Sequence, residues 1–231
     1  MTTNEITKST AVPAYKLIIF DWDGTLMDSQ ARIIACLEAS ASDLDVQLLG
    51  QNQYKNVIGL GLREAISALY PHLQAQQVSD FADRYRYHFV TANDTPTGLF
   101  ANVREMLEQL NDKGFMLAIA TGKARAGLNR VLKDTGLIDC FHGSRCADET
   151  RSKPHPQMLE ELLDEFGLAS DEAVMVGDTE YDMLMARTLG MDALAVSYGV
   201  HEKLELLKHE PISCVDSITE LSNWLLQCET I

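Results

Sequence analysis

Several function classes are excluded by what this sequence lacks. Its five cysteines (Cys36, Cys140, Cys146, Cys214 and Cys228) are odd in number and scattered. None forms a CxxC pair, and no Cys/His cluster has zinc spacing. They are expected to be free thiols in a reducing compartment. Positive charge is scarce as well. Only 19 Lys and Arg stand against 34 Asp and Glu, for a formal net charge of −15. With no Lys/Arg-rich run, the chain has no basic face for nucleic acid, and an anionic membrane surface would repel it. Apolar runs such as 115–120 are far shorter than the ~20 residues that span a bilayer. The opening residues, MTTNEITKSTAVPAY, hold no apolar signal-peptide core, so a cytoplasmic protein is expected. No GxxxxGK[ST] loop occurs. GLGLRE at 59–64 lacks the third glycine of a dinucleotide fingerprint and follows no βαβ strand.

What remains is ample for a packed core: 231 residues, of which 46% are apolar. Residues 1–14 read as a loose arm. KLIIF at 16–20 is a short β-branched run stopped by Asp-Trp-Asp-Gly, which predicts a buried strand ending in a turn. Between 29 and 93, Ile33, Leu37 and Leu44, then Ala65, Ile66 and Leu69, recur at helical spacing. An aromatic helical stretch follows at 78–90, and no strand pattern interrupts the block. After Thr95-Pro96-Thr97-Gly98 the pattern alternates. Strands are expected at 115–120, 141–146, 173–176 and 193–196. Helices are expected at 103–110, 124–133, 156–166 and 181–189. This alternation predicts an α/β fold, a Rossmann-like parallel sheet with an all-helical insert. Residues 1–28 and 97–231 would form the core, and 29–96 the insert.

Ligands of open parallel sheets bind beyond the carboxyl ends of the strands. The residues found there are Asp21-Trp22-Asp23-Gly24-Thr25, Thr121-Gly122-Lys123 and Gly177-Asp178-Thr179-Glu180-Tyr181-Asp182, with Lys153 before the 156–166 helix. Asp21, Asp23, Asp178 and Asp182 would converge at one edge. Clustered carboxylates repel, and either a shared proton or a hard divalent cation relieves them. Oxygen-only ligation by few carboxylates suits Mg²⁺, which keeps several waters and often shares a substrate phosphate. Thr121, the Gly122 amide region and Lys153 would then hold an anion from the opposite side.

DWDGT matches a DxDGT nucleophile motif, Thr121-Gly122 follows an apolar strand, Lys153 comes next, and GDTEYD fits GDxxxD. In this order, across roughly 15–200, the motifs resemble those of the haloacid dehalogenase-like hydrolase superfamily. The helical insert resembles the cap of its phosphoglycolate phosphatase-like and phosphoglucomutase-like members. The resemblance implies that Asp21 is a nucleophile forming an aspartyl-phosphate. It implies that Asp23 is the general acid and then the general base. Asp21, the main-chain carbonyl of Asp23, and Asp178 would ligate Mg²⁺. Thr121, Gly122 and Lys153 would bind the phosphoryl group. Asp182 would orient Lys153 or a metal-bound water. Gly24 would permit a sharp turn and Thr25 brace it.

The superfamily's dehalogenases lack an acid two residues after the nucleophile and need no metal, so Asp23 and GDxxxD favour phosphoryl transfer. The expected activity is Mg²⁺-dependent hydrolysis of a small phosphorylated metabolite, with a sugar phosphomutase as the alternative. Arg32, Lys55, Arg63, Arg84 and Arg86 are few cations for a bisphosphate-holding cap, which favours hydrolysis. Arg63, behind Gly59 and Gly61, is either a contact for a substrate anion or an exposed residue at a helix entry. Lys123 reads as a surface charge, and Tyr85, Tyr87 and Phe89 as helix-packing aromatics. No role falls to any of the six histidines, and the oligomeric state is left open.

Overall fold

The computed structural model describes residues 14–230. The expected arm lies outside them except for Ala14, which with Tyr15 pairs in parallel with 229–230. Six strands form the central sheet: β1 (Leu17–Phe20), β2 (Met116–Thr121), β3 (Gly143–Cys146), β4 (Ala173–Gly177), β5 (Asp192–Val196) and β6 (Ser213–Val215). Their order is β3-β2-β1-β4-β5-β6 and every pairing is parallel. Phe20 stands opposite Ile119 on one side and Val176 on the other. The chain therefore leaves the sheet at 21, 121 and 177 along one edge, where parallel-sheet ligands bind.

Strand residues alternate between two apolar layers, as the pleat dictates. Ile18, Phe20, Leu117 and Ile119 face one way, onto α5 (Val103–Asp112) and α6 (Arg125–Thr135). Leu17, Ile19, Ala118 and Ala120 face the other, onto α7 (Gln157–Phe166) and α8 (Glu180–Thr188). Both faces are covered, which is why these strands read as near-continuous apolar runs.

The helical insert comprises α1 (Gln30–Asp43), α2 (Gln51–Lys55), α3 (Leu62–Leu69) and α4 (Ala75–Tyr87), the last extended by a π-helical turn at His88–Ala92. It builds a core of its own from residues such as Leu37, Tyr54, Ile66 and Phe81. Entry and exit run side by side. Met27–Asp28 pairs antiparallel with Gly98–Leu99, and the Phe100 N–H donates to the Leu26 carbonyl (3.0 Å).

The elements expected from the sequence end at 196, and the chain continues past them. It adds β6, a single turn α9 (Lys203–Leu206) and α10 (Ile218–Gln227). α10 starts at Ser217, whose hydroxyl accepts the Glu220 N–H. Among the described residues no helix is long and apolar enough to cross a membrane, and all five cysteines are free. Leu221 and Leu225 join the α5 side of the core. Leu221→Ala is expected to cost about 2–5 kcal/mol, the usual penalty for a cavity at a fully buried leucine. Urea unfolding measures it, and a cost below about 1 kcal/mol would show that α10 is not part of the core.

Candidate active site

The edge of the sheet gathers a set of buried ionisable groups. Asp21 follows β1, Thr121 ends β2, and Asp178 follows β4. Asp182 sits in the first turn of α8, and Lys153 arrives from the segment before α7. All five are essentially inaccessible. The Lys153 ammonium bridges two carboxylates, 2.8 Å from Asp21 Oδ1 and 2.6 Å from Asp182 Oδ1. The other Asp182 oxygen accepts from the Thr179 N–H (3.1 Å) and the Thr179 hydroxyl (2.7 Å). Burial works against charge on Lys153, but Asp182 and Asp21 outweigh it and hold its pKa above the ordinary lysine value.

Asp178 is held differently. The Thr25 hydroxyl donates to its Oδ1 (2.7 Å) and the Val200 N–H to its Oδ2 (2.8 Å). The expected brace of the turn at Thr25 is thus a brace of Asp178. Gly24 is the turn glycine, with φ +88°. A side chain there is barred twice, because a Cβ would also lie 2.2 Å from Asp178 Oδ2. Burial, then the charges of Asp21 and Asp182, push the Asp178 carboxyl well above its ordinary pKa. Asp21 is pushed up to about 7, chiefly by burial, with Asp182 and Asp23 adding to it against the pull of Lys153.

Asp21 carries the clearest sign of a missing partner. Lys153 on Oδ1 is its one charged contact, and Oδ2 receives no hydrogen bond from the described residues. Oxygens of Asp21, Asp178 and Asp182 lie within 4.8 Å of one another. A donor set that is all oxygen, buried and short of positive charge fits a hard divalent cation. The third carboxylate of that cluster is Asp182. The Asp23 side chain is turned elsewhere, and the ligand expected from Asp23 is its main-chain carbonyl.

Asp23 has partners that the sequence reading passed over. The Lys123 ammonium stands 2.8 and 2.7 Å from its two oxygens, and the Ser29 hydroxyl donates to Oδ1 (2.6 Å). Lys123 is therefore no idle surface charge. Its place two residues beyond Thr121, at the end of a buried strand, was the available signal. The Lys123 N–H also donates to the Thr121 hydroxyl oxygen (3.2 Å). His201 is a second omission. Its main-chain N–H donates to the Asp178 carbonyl (3.2 Å), its Nδ1 accepts from the Glu180 N–H (3.1 Å), and burial lowers its pKa.

Between sheet edge and insert lies a cavity of about 360 Å³. Asp21 and Asp23 border it, with Gly122 and Lys123 beside them, while Thr121, Lys153, Asp178 and Asp182 lie behind. The insert's loop at 59–61 closes one side. A Cβ on Gly122 would come within 2.5 Å of the Leu60 carbonyl oxygen, so only glycine permits this approach. The Gly61 N–H donates to the Ser152 hydroxyl (2.7 Å), and the Tyr181 hydroxyl to the Asn56 carbonyl (2.5 Å). Arg63 borders the cavity but is exposed and donates to Ser79 (3.2 Å). Tyr85 and Phe89 also border it, so they are more than packing aromatics, and Tyr87 is 48% exposed.

The family profile described as haloacid dehalogenase-like hydrolase matches residues 18–196. The protein named Probable phosphatase IndB of Dickeya dadantii is 32% identical over 209 residues, 89% of this chain and 91% of that one. A phosphoglycolate phosphatase of Nitrosococcus oceani is 28% identical, over 92% and 97% of the two chains. Among solved structures, a haloacid dehalogenase-like family hydrolase from Streptococcus pneumoniae superposes with a TM-score of 0.78 at 26% identity. That match covers 91% of this chain and 98% of that one. A profile spanning most of the chain, a shared parallel-sheet fold and relatives that are named phosphatases agree: the chain is an enzyme of the haloacid dehalogenase-like hydrolase family.

Proposed function

We propose that this protein is a Mg²⁺-dependent phosphatase that hydrolyses a small phosphomonoester through an aspartyl-phosphate on Asp21. The observation that carries the reading is the Asp21 carboxylate: buried, with Lys153 on Oδ1 and no donor in the described residues on Oδ2, and bordering the cavity together with Asp23. One Asp21 oxygen attacks phosphorus as the bond to the leaving oxygen breaks, and Asp23 gives that oxygen a proton. Asp23 then takes a proton from water, whose oxygen attacks phosphorus and frees Asp21 and inorganic phosphate. Thr121, the Gly122 amide and Lys153 bind the phosphoryl oxygens. Lys123 and Ser29 fix the Asp23 carboxylate, and Asp182 fixes Lys153. Asp21, the Asp23 carbonyl and Asp178 would hold Mg²⁺, which would supply positive charge against the meeting of carboxylate and phosphate.

Residues 29–96 act as a cap that shuts water out of the cavity, and 1–28 with 97–231 form the catalytic core. The insert's cations support hydrolysis over a phosphomutase reaction. Lys55, Arg84 and Arg86 are paired with Glu202, Asp43 and Asp83, and Arg32 donates to the Asn93 carbonyl. Only Arg63 and Arg86 of the five border the cavity. The scattered free cysteines support a reducing, cytoplasmic setting for such an enzyme.

Asp21→Asn is expected to lower kcat for phosphomonoester hydrolysis by roughly 10³-fold or more while the circular dichroism spectrum is retained. Undiminished release of phosphate by that variant would sink the mechanism. EDTA is expected to stop turnover and added Mg²⁺ to restore it, as a phosphate-release assay reads. Turnover that persists in EDTA would remove the metal from the reading.

Stability should carry the same signature. The Asp21 pKa is raised, to about 7, above the about 4 of an unfolded carboxyl. Between these values the folded chain keeps a proton that the unfolded chain has released. The metal-free protein therefore loses stability as pH rises through that window. Mg²⁺ favours the ionised cluster, so its gain in Tm should be larger at about pH 8 than at about pH 5. Thermal melts with and without MgCl₂ test this, and an equal gain at both pH values would contradict it.

A further inference from the structure

The cavity above Asp21 and Asp23 is walled in a way that catalysis itself does not require. α1 supplies Ile33 and Leu37, and the loop after α2 supplies Val57 and Ile58. α4 and its π-helical turn add an aromatic pair: Tyr85 and Phe89 stack at 5.7 Å between ring centroids with planes 28° apart. The Phe89 ring also lies 5.1 Å from the Lys123 ammonium, the group that holds Asp23. The ring is thus one residue away from the proposed proton donor to the leaving oxygen. A group bonded to that oxygen would have this ring within its reach.

The cations around the cavity are engaged within the protein: Lys123 is paired with Asp23, and Arg32 lies over the Phe89 ring at 5.5 Å. Arg63 and Arg86 are engaged with Ser79 and Asp83. Arg130, also a lining residue, lies over the Phe89 ring at 6.0 Å. A space of about 360 Å³ matches pockets that enclose a ring-sized ligand and orient it with a few polar groups. A two-carbon acid would leave most of that wall facing water, losing both the transfer of apolar surface and its dispersion contacts. A planar apolar body would cover the wall and stack on the aromatic pair.

We infer that the preferred substrate is a phosphomonoester whose leaving alcohol carries a planar, apolar ring, and that Phe89 with Tyr85 selects it. This rests on the phosphatase reading of the same site. A small aliphatic ester such as 2-phosphoglycolate would be turned over less efficiently.

The test compares 1-naphthyl phosphate with 2-phosphoglycolate on the full chain with Mg²⁺. kcat/KM for the naphthyl ester is expected to be at least ten-fold higher. Calorimetry on the Asp21→Asn chain, which cannot form the phospho-enzyme, should show the naphthyl ester binding tighter by a similar factor. Phe89→Ala should raise KM for the naphthyl ester about ten-fold and change kcat less. Equal or reversed preference, with both esters hydrolysed, would overturn the inference and leave the phosphatase reading standing. Hydrolysis of neither ester would overturn that reading, and the inference with it. An unchanged KM in a folded Phe89→Ala variant would remove Phe89 from the selecting wall.

Discussion

Three buried carboxylates facing one buried ammonium is the constraint around which this molecule is arranged. Asp21, Asp178 and Asp182 cannot all ionise beside Lys153 alone without leaving negative charge in a dry interior. Each element around them lessens that cost. Thr179 caps α8 and satisfies Asp182, Thr25 and the Val200 amide satisfy Asp178, and Lys153 lies between Asp21 and Asp182. Asp21 is the member with an oxygen, Oδ2, that no donor of the described residues reaches. This imbalance of charge is what the proposed divalent cation, and through it a phosphate, would offset. The bulk charge of −15 gives no hint of this. Most acids are solvated at the surface, and the sign seen by a substrate is set by a handful of groups at one edge of a sheet.

That edge exists because parallel strands end in register. With Phe20 level with Ile119 and Val176, the chain after β1, β2 and β4 emerges at neighbouring points although the strands end at 20, 121 and 177 in the sequence. The two apolar layers that clamp the sheet hold these loops in place. Glycine at 24 and 122 then lets backbone come where a side chain could not, against Asp178 in one case and against the insert's loop in the other. Precision at the site is therefore inherited from packing that never touches a substrate.

Much of this was legible in the residues. Short β-branched runs followed by acids or Thr-Gly marked β1, β2 and β4, and the loss of strand pattern from 29 to 93 marked the insert. The ordered motifs located Asp21, Thr121, Lys153, Asp178 and Asp182. Other features were hidden for physical reasons. The partnership of Lys123 with Asp23 joins residues a hundred positions apart, and a lysine after a turn looks like any solvated lysine. Thr25 was read locally because a hydroxyl beside Gly24 can brace its own turn, whereas its bond crosses to Asp178. Tyr85 and Phe89 have helical spacing whether they face a core or a cavity; only the position of α4 over the sheet edge decides. β6 and α10 follow a polar stretch with weak periodicity and are stabilised by docking onto β5 and α5.

The chain enters and leaves its helical insert through one short antiparallel ladder, Met27–Asp28 against Gly98–Leu99. On the proposed reading, chemistry and selectivity would sit on opposite sides of this narrow neck: Asp21, Asp178 and Asp182 at the sheet edge, and most of the cavity wall on the insert. Substitutions in the insert can reshape the chamber without disturbing the charge balance beneath it, and its helices keep a core of their own while doing so. The architecture separates heritable change in what is accepted from change in what is done. In that sense the neck is an evolutionary seam, along which one reaction can be fitted to many molecules.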